Sequence, residues 1–363
     1  MRKRRIALSA LLVALAAASV VYVAVGMRVY AQYQAAYDAY SLSCGGLLAW
    51  SPPPALYAGL YVNQPELVTV NVRSATPSLA KVTVSIPGFT TPQEIEVQSD
   101  PSFQALAFKP PLLTQSALSA SSDASQWSAR IVATARITGH AMCQTSARLT
   151  LYSRQWMRWR DPLTGTDLTP YIAGWVTPQS PDVGTLVGKA SQQLRDHPEL
   201  YDNLPALFGY DQGRATASQV RDEVDALFDA LQNDYHLRYS ADNAPFTSTN
   251  SQIVREPGDI LASDSPSGMC VETTVILASA VERLGMRPYI VFTASHAYLG
   301  VALGAGANAQ RAYWETSDLN GSALGSQANV DGDAEYATDL STHAVTAMID
   351  IAYERSQGIE PIE

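Results

Sequence analysis

Three side chains suited to covalent catalysis follow one another in this chain: the thiol of Cys270, the imidazole of His296 and the carboxylate of Glu315. A thiol attacks carbonyl carbon as the thiolate, an imidazole can take its proton, and a carboxylate can fix the ring's tautomer and orientation. The three types together supply nucleophile, general base and orienter for acyl transfer through a thioester. That chemistry also needs donors aimed at a developing oxyanion. The backbone N–H of Cys270 is one candidate and the side-chain amide of Gln252 a second, with a structural hydrogen bond as the alternative role for Gln252.

Elements must bring these groups together. Ser267-Gly268-Met269 reads as a turn feeding a helix from Cys270 to Leu284, with Leu277, Ala280, Val281 and Leu284 as one buried stripe. Gly285 supplies a left-handed stop and Pro288 bars continuation. A thiol at a helix start meets unpaired N–H groups and the positive end of the macrodipole, both favouring thiolate. The runs 289–293, 298–303 and 311–316 read as strands. If the small-residue loop 304–308 makes a hairpin pairing Leu303 with Gln310, Tyr298 faces Glu315 and His296 lies diagonally beside it on one sheet face. Asp318 then points to the other face, which leaves Glu315 as the better partner for His296.

The run Gly268-Met269-Cys270-Val271-Glu272, the helix ending Leu284-Gly285-Met286-Arg287-Pro288, then Ser295-His296-Ala297-Tyr298-Leu299-Gly300 and Trp314-Glu315-Thr316, resembles the core of the bacterial transglutaminase-like superfamily. Gln252 to Leu261 is similar to that family's approach to its cysteine. The resemblance spans roughly residues 165 to 320. It implies a papain-like Cys-His-Asp/Glu triad with Cys270 as nucleophile, His296 as base and Glu315 as third member. Where the animal crosslinking enzymes follow the nucleophile with an aromatic residue, this chain has Val271.

The chain begins with a basic cluster, residues 1–5, followed by an uncharged apolar run over 6–27. A run of this length matches the roughly 20 residues of a membrane-crossing helix, and the basic end stays cytoplasmic while the rest is exported. A cleavable signal peptide is the alternative; its apolar region would be shorter, and Arg28 would interrupt the cleavage motif. The exported part lies on the periplasmic or cell-surface side. In that compartment Cys44 and Cys143 are the candidate disulfide, leaving Cys270 free, with three reduced thiols as the alternative. A net charge of −10 over 363 residues excludes a nucleic-acid partner that would want a basic face, and a charged fraction of 16% with ample apolar content predicts packed cores.

Residues 44–153 alternate apolar and polar in six or seven short segments punctuated by Pro and Gly, predicting an all-β immunoglobulin-like sandwich that serves as spacer or as a surface for a protein partner. Residues 154–168 read as a junction. Residues 169–355 read as the transglutaminase-like domain of helices plus antiparallel sheet, giving an α+β chain overall. Within it Ser180-Pro181 opens one helix and Thr216 another, with Gln219 placed for a capping box. The acidic run 331–335 reads as a solvated loop lacking calcium-site spacing, residues 338–355 as a closing helix, and 356–363 as a loose tail. No HExxH and no paired CxxC occurs, so no metal or cofactor is expected. The expected function is a membrane-anchored extracytoplasmic enzyme acting on amide bonds of protein or cell-wall peptide by acyl transfer or hydrolysis. A thiol peptidase and an inactive membrane-tethered scaffold are the alternatives.

Overall fold

A computed structural model describes residues 47–113, 126–162, 164–211, 214–241, 246 and 251–362. The expected anchor at 6–27 and Cys44 lie outside these residues. Among the described residues, no helix is long and apolar enough to cross a membrane. The fold is mixed α+β, divided into two compact units.

The chain starts in the first unit with β1 (Leu48–Trp50), then gives β2 (Ala55–Tyr57) and the short helix α1 (Ala58–Asn63) to the second unit. It resumes the first with β3 (Val68–Val72), β4 (Ser78–Ser85), β5 (Gln93–Ser99), β6 (Gln104–Phe108), β7 (Gln126–Ile137) and β8 (Cys143–Tyr152). One sheet has the order β1-β3-β6, and β8-β7-β4-β5 form another. Each sheet buries alternate residues, Val68, Val70 and Val72 in β3 and Ala80, Val82 and Val84 in β4, because period-two alternation puts one set on one face. His140 is exposed beyond the end of β7. Cys143, at the start of β8, is disulfide-bonded.

Two boundaries differ from those read in the sequence. Ala55–Gln64 is helical in part and belongs to the second unit, where Tyr57 and Leu60 join the core. The presumed junction 154–168 is core as well: β9 (Trp156–Arg158) pairs antiparallel with Ser251–Ile253, and Met157 and Trp159 are fully buried. Burying a tryptophan removes so much apolar surface from water that a segment carrying one is held, not merely traversed.

The second unit continues with α2 (Pro181–Asp196), α3 (Ala217–Asn233), β10 (Arg238–Tyr239), β11 (Ser251–Ile253), α4 (Pro257–Leu261), β12 (Ser267–Gly268) and α5 (Cys270–Arg283). Ser180 occupies the N-cap position of α2 without a capping hydrogen bond from its side chain, whereas Thr216 and Gln219 form the expected capping box on α3. After α5, Gly285 takes a left-handed φ of 74° that a side chain would resist. Then come β13 (Pro288–Phe292), β14 (Ala297–Ala302), β15 (Arg311–Trp314), α6 (Gly325–Thr342), β16 (Ala347–Asp350) and α7 (Ile351–Ser356). The sheet order is β15-β14-β13-β16, antiparallel throughout.

Every residue of β13 and β14 is buried, because α5 packs on the sheet and an aromatic cluster of Tyr298, Tyr313 and Tyr336 covers residues pointing the other way. Leu299 pairs with Trp314 and Ala302 with Arg311, the register that the hairpin reading requires.

The C-terminal third departs from its sequence reading. The acidic run 331–335 is not a solvated loop but the middle of α6. Gly332 lies so close to β15 that an added Cβ would come within 2.6 Å of the Tyr313 backbone. The residues 338–355 do not form one helix: α6 ends at Thr342, His343 closes it in a left-handed conformation, and β16 joins the sheet before α7 begins. Nor is the tail loose. Ile359 and Ile362 are buried, the Ile362 N–H donates to the Gly174 carbonyl, and Arg355 pairs with Glu282 at 3.0 Å.

Candidate functional site

Cys270 is the first residue of α5 and only 2% exposed. The helix start is fastened by Glu272, whose fully buried side chain accepts from the Met269 N–H at 2.9 Å and pairs with Arg255 at 2.7 Å. Arg255 also donates to the Ser267 carbonyl at 2.7 Å, so one guanidinium ties the strand before the thiol to the helix after it. Planar, two-pronged recognition of this kind resists rotation. The hydroxyl of Thr274 donates to the Cys270 carbonyl at 2.7 Å and lies 3.3 Å from the Ala297 carbonyl, linking the helix to β14.

His296 sits in the tight turn between β13 and β14, its N–H donating to the Thr293 hydroxyl and its carbonyl accepting from the Thr293 N–H. Its Nε2 lies 2.8 Å from Oε2 and 3.1 Å from Oε1 of Glu315. With Nε2 committed to Glu315, Nδ1 is the ring nitrogen left for a second partner, and Cys270 is close enough to act electrostatically on the ring. Glu315 follows β15 directly; its N–H donates to Ala328 and its Oε1 accepts from the Ser317 N–H at 2.8 Å. The structure thus brings Cys270, His296 and Glu315 together from a helix start, a turn and a strand end. Asp318 makes no bond to His296; burial first, and then the neighbouring Asp331 carboxylate, raise its carboxyl to about 6.

Electrostatics follow from this geometry. Desolvation, the largest single influence on His296, pulls it down, but Cys270 and Glu315 together outweigh it and push the imidazole up to about 10. Burial likewise works against the Glu315 carboxylate, yet His296 and the Ser317 N–H hold it below its usual range. The imidazole is therefore held in its cationic form at neutral pH.

Gln252 is 8% exposed on β11. The Trp159 indole, which can only donate, holds Oε1 at 3.0 Å, and this fixes the NH2 toward Met269, whose sulfur is 3.7 Å away. The amide donor thus points at the residue preceding Cys270. Sequence reasoning missed Tyr239, which pairs in β10 opposite Gly268, two residues before the thiol. It lies on a two-residue strand too short to leave a pattern. Among the described residues no group of three or more His, Cys, Asp or Glu is arranged to hold a metal.

No family model and no curated protein matches this chain. Among solved structures, a superoxide reductase (neelaredoxin) from Ignicoccus hospitalis is similar at 14% identity over 29% of this chain and 79% of that one, with a TM-score of 0.18.

Proposed function

We propose that the second unit is a transglutaminase-like cysteine enzyme that acts on amide bonds through a thioester. The observation that carries this reading is the 2.8 Å bond from His296 to Glu315, with a buried thiol at a helix N-terminus beside the ring. A papain-like arrangement, in which a helix bearing the thiol packs on an antiparallel sheet bearing the base and acid, suits α5 on β13–β15. The two sheets of the first unit suit an immunoglobulin-like sandwich that presents the enzyme or recognises a protein partner, exported and tethered through residues 6–27.

In the reaction, the Cys270 thiolate attacks an amide carbonyl, and its electron pair forms the S–C bond. The carbonyl oxygen takes negative charge and is met by the Cys270 N–H and the Gln252 amide. As the C–N bond breaks, the His296 imidazolium gives its proton to the departing nitrogen, which leaves as ammonia or an amine. Glu315 keeps the ring aligned throughout. An amine or water then gives its proton to the neutral imidazole, attacks the thioester and restores the thiolate.

Glutamine-containing peptides, offered with and without an added amine, test this. The expected result is ammonia release, with crosslinked product when amine is present, abolished in Cys270→Ala. Cleaved peptide backbone in place of ammonia would make the protein a thiol peptidase. No selective reaction of Cys270 with an amide-mimicking electrophile at neutral pH would leave a tethered scaffold.

A further inference from the structure

One buried hydroxyl lies where the three elements that carry Cys270, His296 and Glu315 meet. Thr274 stands one helical turn after Cys270 in α5 and is fully buried. Its Oγ1 is 2.7 Å from the Cys270 carbonyl oxygen, 3.3 Å from the Ala297 carbonyl oxygen and 3.5 Å from the Thr316 hydroxyl. Ala297 follows His296 and Thr316 follows Glu315, so each of these three contacts is to a member of the proposed triad or to the residue next to one. The register that pairs Leu299 with Trp314 brings Ala297 opposite Thr316, and both are fully buried as well. A helical threonine commonly bonds the carbonyl four residues back. The neighbouring Thr273 hydroxyl does so, meeting the Met269 and Cys270 carbonyls at 3.0 Å each, both in its own turn. Thr274 reaches two further elements.

We infer that Thr274 is a positioning residue for the proposed reaction, holding the first turn of α5 against the start of β14 and the end of β15 so that the sulfur keeps its place beside the His296–Glu315 pair. This deepens the cysteine-enzyme reading above and rests on it. A hydroxyl is suited to the task because it has one proton to give and lone pairs to accept with. The proton goes to the Cys270 carbonyl, the shortest of the contacts, with the Ala297 carbonyl on its longer side, and a lone pair is left to accept from Thr316. None of these contacts is to a reacting atom: Thr274 acts through the backbone that carries them. Because the side chain is fully buried, water does not take over its bonds when the hydroxyl is removed. Misplacing catalytic groups by about 1 Å costs about 100-fold in rate, so a fraction of that shift is enough to measure.

The test compares the full chain with Thr274→Val, which keeps the shape and loses the hydroxyl, and with Thr274→Ser, which keeps the hydroxyl and loses a buried methyl. The readouts are the rate of Cys270 alkylation by iodoacetamide as a function of pH, kcat and KM on a glutamine-containing peptide, and a thermal melt. In Thr274→Val the expected result is an alkylation midpoint raised by about one pH unit and kcat about tenfold lower at unchanged KM. Thr274→Ser should return both to within about twofold of wild type, whatever the lost methyl does to its melting temperature. The alkylation profile decides by itself if the peptide is not a substrate. Wild-type behaviour in Thr274→Val would overturn the inference, as would a serine variant as impaired as the valine one. Rates that follow the melting temperatures, or loss of the fold in Thr274→Val, would overturn it too, since the hydroxyl would then serve stability alone. A wild-type Cys270 silent toward both peptide and reagent would instead bring down the enzyme reading itself.

Discussion

The two units bury ionisable groups very differently. Among the described residues, every carboxylate that is buried lies in the second unit: Glu223, Asp225, Asp229, Glu272, Glu315, Asp339 and Glu354. The first unit buries apolar residues and a few hydroxyls, and keeps charges such as Lys81, Glu94 and Glu96 on its surface. Burying a carboxylate is costly unless it is bonded, so each one marks a place where the fold spends stability on position. Some hold backbone, as Glu223 does by accepting from the Phe208 and Gly209 N–H groups, while Asp225 holds a side chain by accepting from the Trp314 indole. Glu315 differs in that its main partner is a titrating ring beside a thiol.

That contrast can be broken by experiment. The largest effect is expected at Glu315. Glu315→Gln should lower turnover about 10³-fold with the fold intact, because the ring loses both its alignment and its counter-charge. Its stability should also reveal the ion pair. The raised His296 contributes stability that is full below its ordinary 6.5 and is lost as pH rises through about 10. The depressed Glu315 contributes above its ordinary 4.5 and loses that contribution as pH falls. Wild type should therefore exceed Glu315→Gln in denaturant midpoint most clearly from about 4.5 to 6.5, with the gap closing toward about 10 and in strong acid. A gap independent of pH would refute the assignment.

Next comes Glu272→Gln, which strips the partner from Arg255 at the helix start. Breaking such a pair costs about 3 kcal/mol, read by urea titration, and a wild-type midpoint would show that the helix start is fastened some other way. Gln252→Ala should reduce kcat about 10²-fold while leaving KM nearly unchanged, the signature of a donor used in the transition state; intact turnover would remove Gln252 from the oxyanion site. The smallest effect is expected in the first unit. Lys81→Ala removes an exposed pair with Glu94 and Glu96 and should alter neither turnover nor melting, and a marked loss of turnover would mean that this face takes part in the reaction.

The site was legible where local pattern and chemistry coincide. The run 304–308 is rich in small residues, so the hairpin register, and with it the approach of His296 to Glu315, could be read from alternation alone. The thiol's place at a helix start was likewise written in the stop at Gly285 and the apolar stripe. What escaped depends on tertiary partners. An acidic stretch broken by Gly332 looks like a loop, because glycine costs about 1 kcal/mol in a helix. Only contact with the Tyr313 backbone explains why it sits there. Trp156 and Trp159 lie in the stretch 154–168 that reads as a junction, because β9, which Trp156 opens and Trp159 follows, is too short to show alternation. Ala347–Asp350 became β16 through pairing with β13 and not through its composition.

The helix α6 does more than cover a face. Asp333 accepts from the Tyr313 N–H at 2.9 Å and the Asn329 amide donates to the Tyr313 carbonyl at 2.8 Å, so side chains of a helix occupy the groups a further strand would have used. An incoming polypeptide therefore cannot zip onto β15 as an additional ribbon at this point, beside the proposed acid. On the proposed reading, a chain that delivers its amide to Cys270 is recognised by its side chains or through other backbone groups, which favours selection by sequence over indiscriminate capture of extended segments.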